Sequence, residues 1–238
     1  MSESVLERPR PEMGELKALE LDALLRRAAV GVEHFDQRLF SLEDEQLDAA
    51  FLPDAGVGRW PVRVLLGHLA DAELVFVHRF RRIVAEERPL LGLWDENAFV
   101  DSGVYEGKQR RPGAPLPNVG GFVATIYTLR AWTCEWLAGL EAQQFARKAM
   151  HPERGTVSLR EFVELNTWHL EHHAWFLNAK VERFLGPAPV VGIGACGAGC
   201  GCHGEGAAVE GHEHEGEHAG HSHHAESEGC GKPGCCKG

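Results

Sequence analysis

The segment Trp168-His169-Leu170-Glu171-His172-His173 sets two imidazoles, His169 and His173, four residues apart. On a helix that spacing puts both rings on one face about a turn apart, the arrangement of two nitrogen ligands to one metal ion. His172 is rotated about 100° from His173 and cannot share a centred stripe with both. A third imidazole, His68, falls among Val64, Leu65, Ala72 and Val75, on the side of its helix that apolar periodicity marks as buried. One buried imidazole is ordinarily satisfied by a backbone carbonyl, and is costly without a partner. Three such rings on two helices suggest a shared partner. Three neutral imidazoles suit one divalent transition metal ion, zinc or nickel, and leave open a coordination position of the kind catalytic sites keep.

Other chemistry-bearing residues are weaker candidates. Asp71, one turn after His68, could orient a ligand imidazole or assist proton transfer, although a surface ion pair is an equally ordinary use. No Ser-His-Asp or Cys-His nucleophile pattern competes: Cys134 is the one cysteine of the body and falls in an apolar helical stretch, where it reads as packing. His34, His78 and His151 lack a correctly spaced partner. Arg79, Arg81 and Arg82 form a run too short to mark an anion-binding surface and read as a solvated helix face.

Residues 189–238 are a separate case. From Val191 onward they hold half of the 28 glycines, half of the 14 histidines and all but one of the 7 cysteines. The ligands are Cys196, Cys200, Cys202 and His203, then His212, His214, His218, His221, His223 and His224, then Cys230, Cys235 and Cys236. Thiolates mixed with imidazoles favour zinc, nickel or copper, so additional metal ions are expected here, but no spacing matches a standard structural zinc site. With so few large apolar side chains the segment cannot offset its ordering entropy, and it is expected to be a disordered metal-binding tail.

The elements that must position the three histidines are helical. Residues 1–14 read as a flexible N-terminus and 15–188 as one domain. Leu21, Leu24, Leu25, Ala28, Val32, Phe35 and Leu39 recur at helical spacing, predicting a first helix from about Glu15 to Phe40. Pro61 opens a second, which runs to about Glu86. The connection from Pro89 to Pro117 is longer than adjacent antiparallel helices need and suggests a crossover with a short helix near Trp94 to Val100. A third helix is predicted from about Val119 to Ala142. A fourth begins with the capping box of Ser158 and Glu161 and ends before Gly186. No strand pattern is evident, and the fold class expected is an all-α four-helix bundle with one long crossover connection.

Composition narrows the function. A formal charge of −11 over 238 residues argues against nucleic acid, which draws on clustered Lys and Arg. The longest apolar stretch, near Leu69 to Val77, is cut by Asp71 and Glu73, so no membrane span is expected. The N-terminus shows no secretory pattern, which makes a cytoplasmic location the expectation. An exposed apolar helix face would let the bundle pair as a homodimer.

The segment Trp60-Pro61-Val62-Arg63-Val64-Leu65-Leu66-Gly67-His68-Leu69-Ala70-Asp71-Ala72-Glu73 resembles the motif of the DinB/YfiT-like superfamily, in which a Trp opens the second helix and a His precedes Leu-Ala-Asp. Arg130 with Trp132, the turn of His151-Pro152 and Gly155, and the W-H-x-x-H-H of the last helix follow in the family's order. The resemblance covers about Leu19 to Gly186. It implies a four-helix bundle with an unusual crossover and a metal triad at His68, His169 and His173. The segment Trp94-Asp95-Glu96-Asn97-Ala98-Phe99 is similar to the connection that lies over the pocket in such proteins, making Asp95 and Asn97 substrate-binding candidates; Asp95 could equally cap the short helix. Arg130 could hold an anionic substrate group or form an interhelical ion pair.

What the resemblance implies is an enzyme acting on a small molecule, with the metal activating water as in a hydrolase or a low-molecular-weight thiol cosubstrate as in an S-transferase. The alternative is a non-catalytic metal-binding, storage or sensor protein whose tail is the working part. A metal site that opens on a pocket favours the first, and a closed one the second.

Overall fold

The computed structural model describes residues 4–188; the tail ligands from Cys196 to Cys236, and the disorder expected of them, lie outside these. Helices α1 (Met13–Lys17), α2 (Leu21–Ala29), α3 (Asp44–Leu47), α4 (Val62–Ala85), α5 (Glu96–Asp101), α6 (Val119–Ala138) and α7 (Leu159–Leu185) follow in order, with strands β1 (Lys148–His151) and β2 (Gly155–Ser158) ahead of α7. Helix α4 packs against both α6 and α7, and α2 packs against the same two from the other side, making a four-helix bundle. The long members start where local chemistry allows. Asn118 accepts the Gly120 N–H (2.7 Å) at the head of α6, and Ser158 and Glu161 form a reciprocal capping box at the head of α7.

The apolar interior is divided. One large cluster gathers Leu24, Phe76, Phe80, Ile83, Leu137 and Phe162, a second Phe35, Leu39, Leu65, Leu69, Ile126, Leu170 and Leu177, and a small third Val57, Trp175 and Ala179. Each long helix switches between the two large clusters at its middle, and the residues at the switch are polar. Arg130 is the hub there: its Nε donates to the Ala28 carbonyl (2.8 Å) and its Nη1 to Asn166 (3.0 Å) and to Glu73. All three side chains are buried. A charge in that position is tolerable only because it is paired and hydrogen-bonded. His169 follows Asn166 by less than one turn of α7, so the histidines adjoin this layer.

The first helix differs from its sequence expectation. In place of one helix from Glu15 to Phe40 there are α1, α2 and two 3-10 turns, Val32–His34 and Gln37–Ser41. The apolar spacing still points Leu24, Ala28, Phe35 and Leu39 inward, but the backbone is diverted. Gly31 leaves helical geometry (φ −118°, ψ −107°), and Arg130 presses so close that a Cβ there would lie 2.9 Å from its Cδ. Asn178 on α7 then takes the Asp36 N–H (2.7 Å) and donates to the His34 carbonyl (2.7 Å), satisfying groups that a continuous helix would have paired internally.

A second difference is the hairpin. Strands β1 and β2 pair antiparallel with Lys148 opposite Ser158 and His151 opposite Gly155, although no strand was evident in the sequence. Four-residue strands carry too short an alternation to register as a pattern. Their stability comes from a third stretch: Met150 exchanges backbone hydrogen bonds with Pro89 and Leu91 (both 2.9 Å).

The crossover from Pro89 to Pro117 carries α5 and is tied to the bundle at defined points. The buried Tyr105 ring lies on Gly67, where a Cβ would come within 2.4 Å of it. Arg63, also buried, reaches the Pro117 carbonyl (2.5 Å) as well as Asp44 and Asp48 (2.6 Å each). On α6, Tyr127 and Trp132 are each 54% exposed. No helix among the described residues is long and apolar enough to cross a membrane.

Candidate metal centre

His68 projects from the middle of α4, and His169 and His173 from successive turns of α7. The helix pair brings the three together: one nitrogen of each lies within 4.8 Å of the others. The Nε2 atoms of His68 and His169 are 3.1 Å apart. Two nitrogens held about 2.0–2.1 Å from a tetrahedral ion stand roughly 3.3 Å from each other, so the spacing is close to that of ligands to one ion. The Nδ1 atoms of His68 and His173 are buried without a partner. Thus an all-imidazole donor set with unsatisfied nitrogens fits a borderline divalent metal.

Two tryptophans wall the cluster. Trp94, delivered by the crossover, stacks on His68 with ring centres 5.3 Å apart and planes 14° apart. Trp60, immediately before α4, lies 5.0 Å from His68 and stacks on His173 at 6.0 Å. Burial disfavours the charged imidazolium. It pushes His68 down to about 4 and His173 down to about 3, from an ordinary 6.5. His169 is also held well below its usual value, first by burial and then by its histidine neighbours. At neutral pH all three are therefore in the unprotonated form that coordinates metal.

The cluster opens on one side into a cavity of about 300 Å³ whose lining includes Phe76, Arg79, Trp94, His151, Arg154 and Trp168. The remaining candidates lie elsewhere or make other contacts. Asp71 accepts a hydrogen bond from the Tyr105 hydroxyl (2.7 Å) rather than from His68. Arg130 sits in the polar layer bonded to Glu73 and Asn166, so the interhelical pair is the use the fold makes of it. Asp95 caps α5 through the Ala98 N–H (2.9 Å). Asn97 is exposed on α5, and neither it nor Asp95 lines the cavity. Glu171 forms a two-pronged pair with Arg27 (2.7 Å for each bond). His172 turns away from the cluster to stack on Trp168 at 4.6 Å.

Sequence reasoning missed Arg79, Trp94 and His151 as cavity residues. Arg79 was grouped with a solvated face, yet it is only 9% exposed. A signal existed: it follows His68 by eleven residues, three helical turns to within about 20°, and so shares its face. Trp94 and His151 lie on a loop and a hairpin, for which no periodicity speaks.

The chain is similar to known proteins. The sequence model of the DinB superfamily matches residues 9–177. A Bacillus pumilus protein named "putative metal-dependent hydrolase" is 27% identical over 165 residues, covering 69% of this chain and 86% of its own. The similarly named YfiT of Bacillus subtilis is 30% identical over 133 residues, covering 56% of this chain and 67% of its own. The solved structure of Bacillus subtilis YfiT, described as having an unusual four-helix bundle topology, superposes with a TM-score of 0.58 at 23% identity, covering 76% of this chain and 94% of that one. That likeness shows the shared fold, and the family match is carried by most of the chain: this protein belongs to the DinB superfamily.

Proposed function

We propose that this chain is a metal-dependent hydrolase of a small molecule, with His68, His169 and His173 holding one zinc or nickel ion. The observation that carries the reading is that the three unprotonated imidazoles border a cavity, whereas a purely structural ion is normally closed in by a fourth protein ligand. The names of the relatives from Bacillus pumilus and Bacillus subtilis agree with it. The ion's contribution would be Lewis acidity, which polarises a substrate carbonyl or similar group and acidifies water.

The protein's own residues do the rest. Trp60 and Trp94 exclude bulk solvent from the inner face of the cluster and fix the His68 ring, which strengthens electrostatic interactions at the site. At the cavity wall, the His151 Nδ1 accepts the Glu153 N–H (3.3 Å), leaving its Nε2 to carry the ring proton and donate to substrate. Among the described residues no carboxylate joins the three imidazoles, so their neutrality would leave the full charge of a bound ion to act on the substrate.

The test is metal content of the chain ending at Ala188, which removes the tail ligands, together with a panel of ester, amide and thiol-transfer assays. One equivalent of metal is expected, and His169→Ala and His173→Ala should each abolish it along with hydrolysis. Metal retained in both variants would refute the triad. Turnover only with an added low-molecular-weight thiol would replace hydrolysis by thiol transfer, and full occupancy without any turnover would favour the storage or sensor reading.

A further inference from the structure

The cavity beside the histidines is lined by both His68 and Arg79, which stand eleven residues apart on α4. Their Cα atoms are separated by roughly 16 Å of helix at 1.5 Å per residue, and the arginine side chain, like most on a helix, leans back toward the N-terminus and the histidine. Phe76 and Trp168 add apolar surface to the same lining.

Arg79 is unlike the other buried arginines among the described residues. Arg63 is paired with Asp44 and Asp48, and Arg130 with Glu73. Arg79 is buried too, at 9% exposed against 2% for the other two, but has no hydrogen-bonded carboxylate partner; its single hydrogen bond runs from Nη2 to the Gly92 carbonyl (2.9 Å). Its Nε and Nη1 are unpaired, and the Phe162 ring, 5.9 Å from the guanidinium carbon, offers only a weak cation–π contact. Burial, and then the neighbouring Arg154, press its pKa downward, and Glu96 and Glu153 offset this only in part. Proteins rarely bury a guanidinium without an anion.

Two further donors converge on the same space. Arg154, in the turn of the β1–β2 hairpin, lines the cavity, is exposed and makes no hydrogen bond. His151, on the adjoining strand, is 5% exposed and has its Nδ1 occupied by the Glu153 N–H, so its Nε2–H is available. Glu96 and Glu153 also line the cavity and act on Arg79 through space, but both are exposed and neither forms an ion pair with either arginine, so solvent weakens their effect. We infer that Arg79, Arg154 and His151 form a receptor for an anionic group, carboxylate or phosphate, on the end of the substrate remote from the histidines. The inference rests on the proposed hydrolase only in identifying the bound molecule as its substrate; the anion site itself requires no metal. The substrate class that follows is an elongated small molecule with a hydrolysable group at one end, an apolar middle and an anion at the other.

The experiment is calorimetric titration of the full-length protein, metal-loaded and metal-stripped, with hexanoate, hexyl phosphate and neutral hexanamide. It is run near pH 8, where the tail imidazoles are largely uncharged. At least one anion should bind both forms and the amide should not; whichever anion binds more tightly identifies the group. Arg79→Met should weaken binding by about tenfold or more, in line with loss of a charge-assisted contact. Arg154→Met should weaken it severalfold, and Arg111→Met, outside the cavity, should leave it unchanged. Arg154→Met has no hydrogen bond to lose, so it decides the matter even if Arg79→Met disturbs the Gly92 loop. Equal binding of the amide, no binding of either anion, or affinity unchanged in Arg154→Met would overturn the site. Binding abolished by metal removal but untouched by the arginine substitutions would assign the anion to the ion instead. Anion binding that persists in a protein found to hold no metal would leave this site standing while the metal-enzyme reading fell.

Discussion

At the residue scale the centre depends on keeping three imidazoles neutral in a place where nothing else satisfies them. The indole of Trp94 covers His68, and its own Nε1 is buried without a partner, so this wall is maintained by packing alone. Trp94→Ala should admit water to the His68 face at a stability cost below the roughly 3–5 kcal/mol of truncating a fully buried aromatic, because Trp94 is only partly buried. Metal should then dissociate faster under chelator challenge, and an unchanged dissociation rate would remove Trp94 from the description of the site. Lys180 is another buried residue out of balance. Its ammonium donates to the Gly58 carbonyl (2.7 Å) and to that of Val57, and burial pushes its pKa down to about 8 from 10.5. Between those values the unfolded chain binds more protons than the folded one, so this residue's contribution to stability rises with pH across that window. Relative to Lys180→Met, the native protein should gain about 3 kcal/mol on going from pH 7.5 to 10.5 in denaturant titrations; a constant difference would show that the carbonyls hold the ammonium charged throughout.

At the scale of elements, α4 is the organiser, because it carries His68 on one face, the seat for Tyr105 at Gly67, and Glu73 in the polar layer. Gly67→Ala should destabilise the protein by about 1–3 kcal/mol, the usual cost of overpacking, since its Cβ would come within 2.4 Å of the Tyr105 ring. Hydrogen exchange should locate the damage in the crossover, which would lift from α4. Exchange that accelerated uniformly across the bundle would contradict that. Arg130→Met is a different kind of lesion: it leaves Glu73 buried without its cation, and a cost of about 3–5 kcal/mol is expected in thermal or denaturant melts. The double variant with Glu73→Met should recover much of it, because replacing both partners removes the uncompensated charge.

At the scale of the molecule, two large apolar clusters are joined through a polar layer, and the three histidines lie beside that layer with Trp94 of the crossover stacked on His68. The hairpin before α7 closes the far side of the cavity by bringing His151 and Arg154 to the flank of α4, so elements distant in sequence build one pocket. The tail contributes separately in chemical terms. If its thiols and imidazoles bind metal as their composition predicts, the full chain should hold several equivalents, and the chain ending at Ala188 only the one assigned to the histidines. Equal stoichiometry in the two would show that the tail holds none under the same conditions.

The sequence by itself determined what is local. The four-residue spacing of His169 and His173, the Ser158–Glu161 capping box and the long apolar stripes of α4 and α7 are consequences of helical geometry acting within one segment, and they made the bundle and the three histidines legible. The first helix shows where that stops: its apolar spacing was right, but Asn178 and Arg130 on other helices decide where its backbone breaks. The same holds for charge. Nothing near Arg130 in the chain indicates that Glu73 will neutralise it, and nothing near Arg79 indicates that no carboxylate will. Ion pairing, ring stacking and the lining of a cavity depend on which elements meet, and only the tertiary structure decided that.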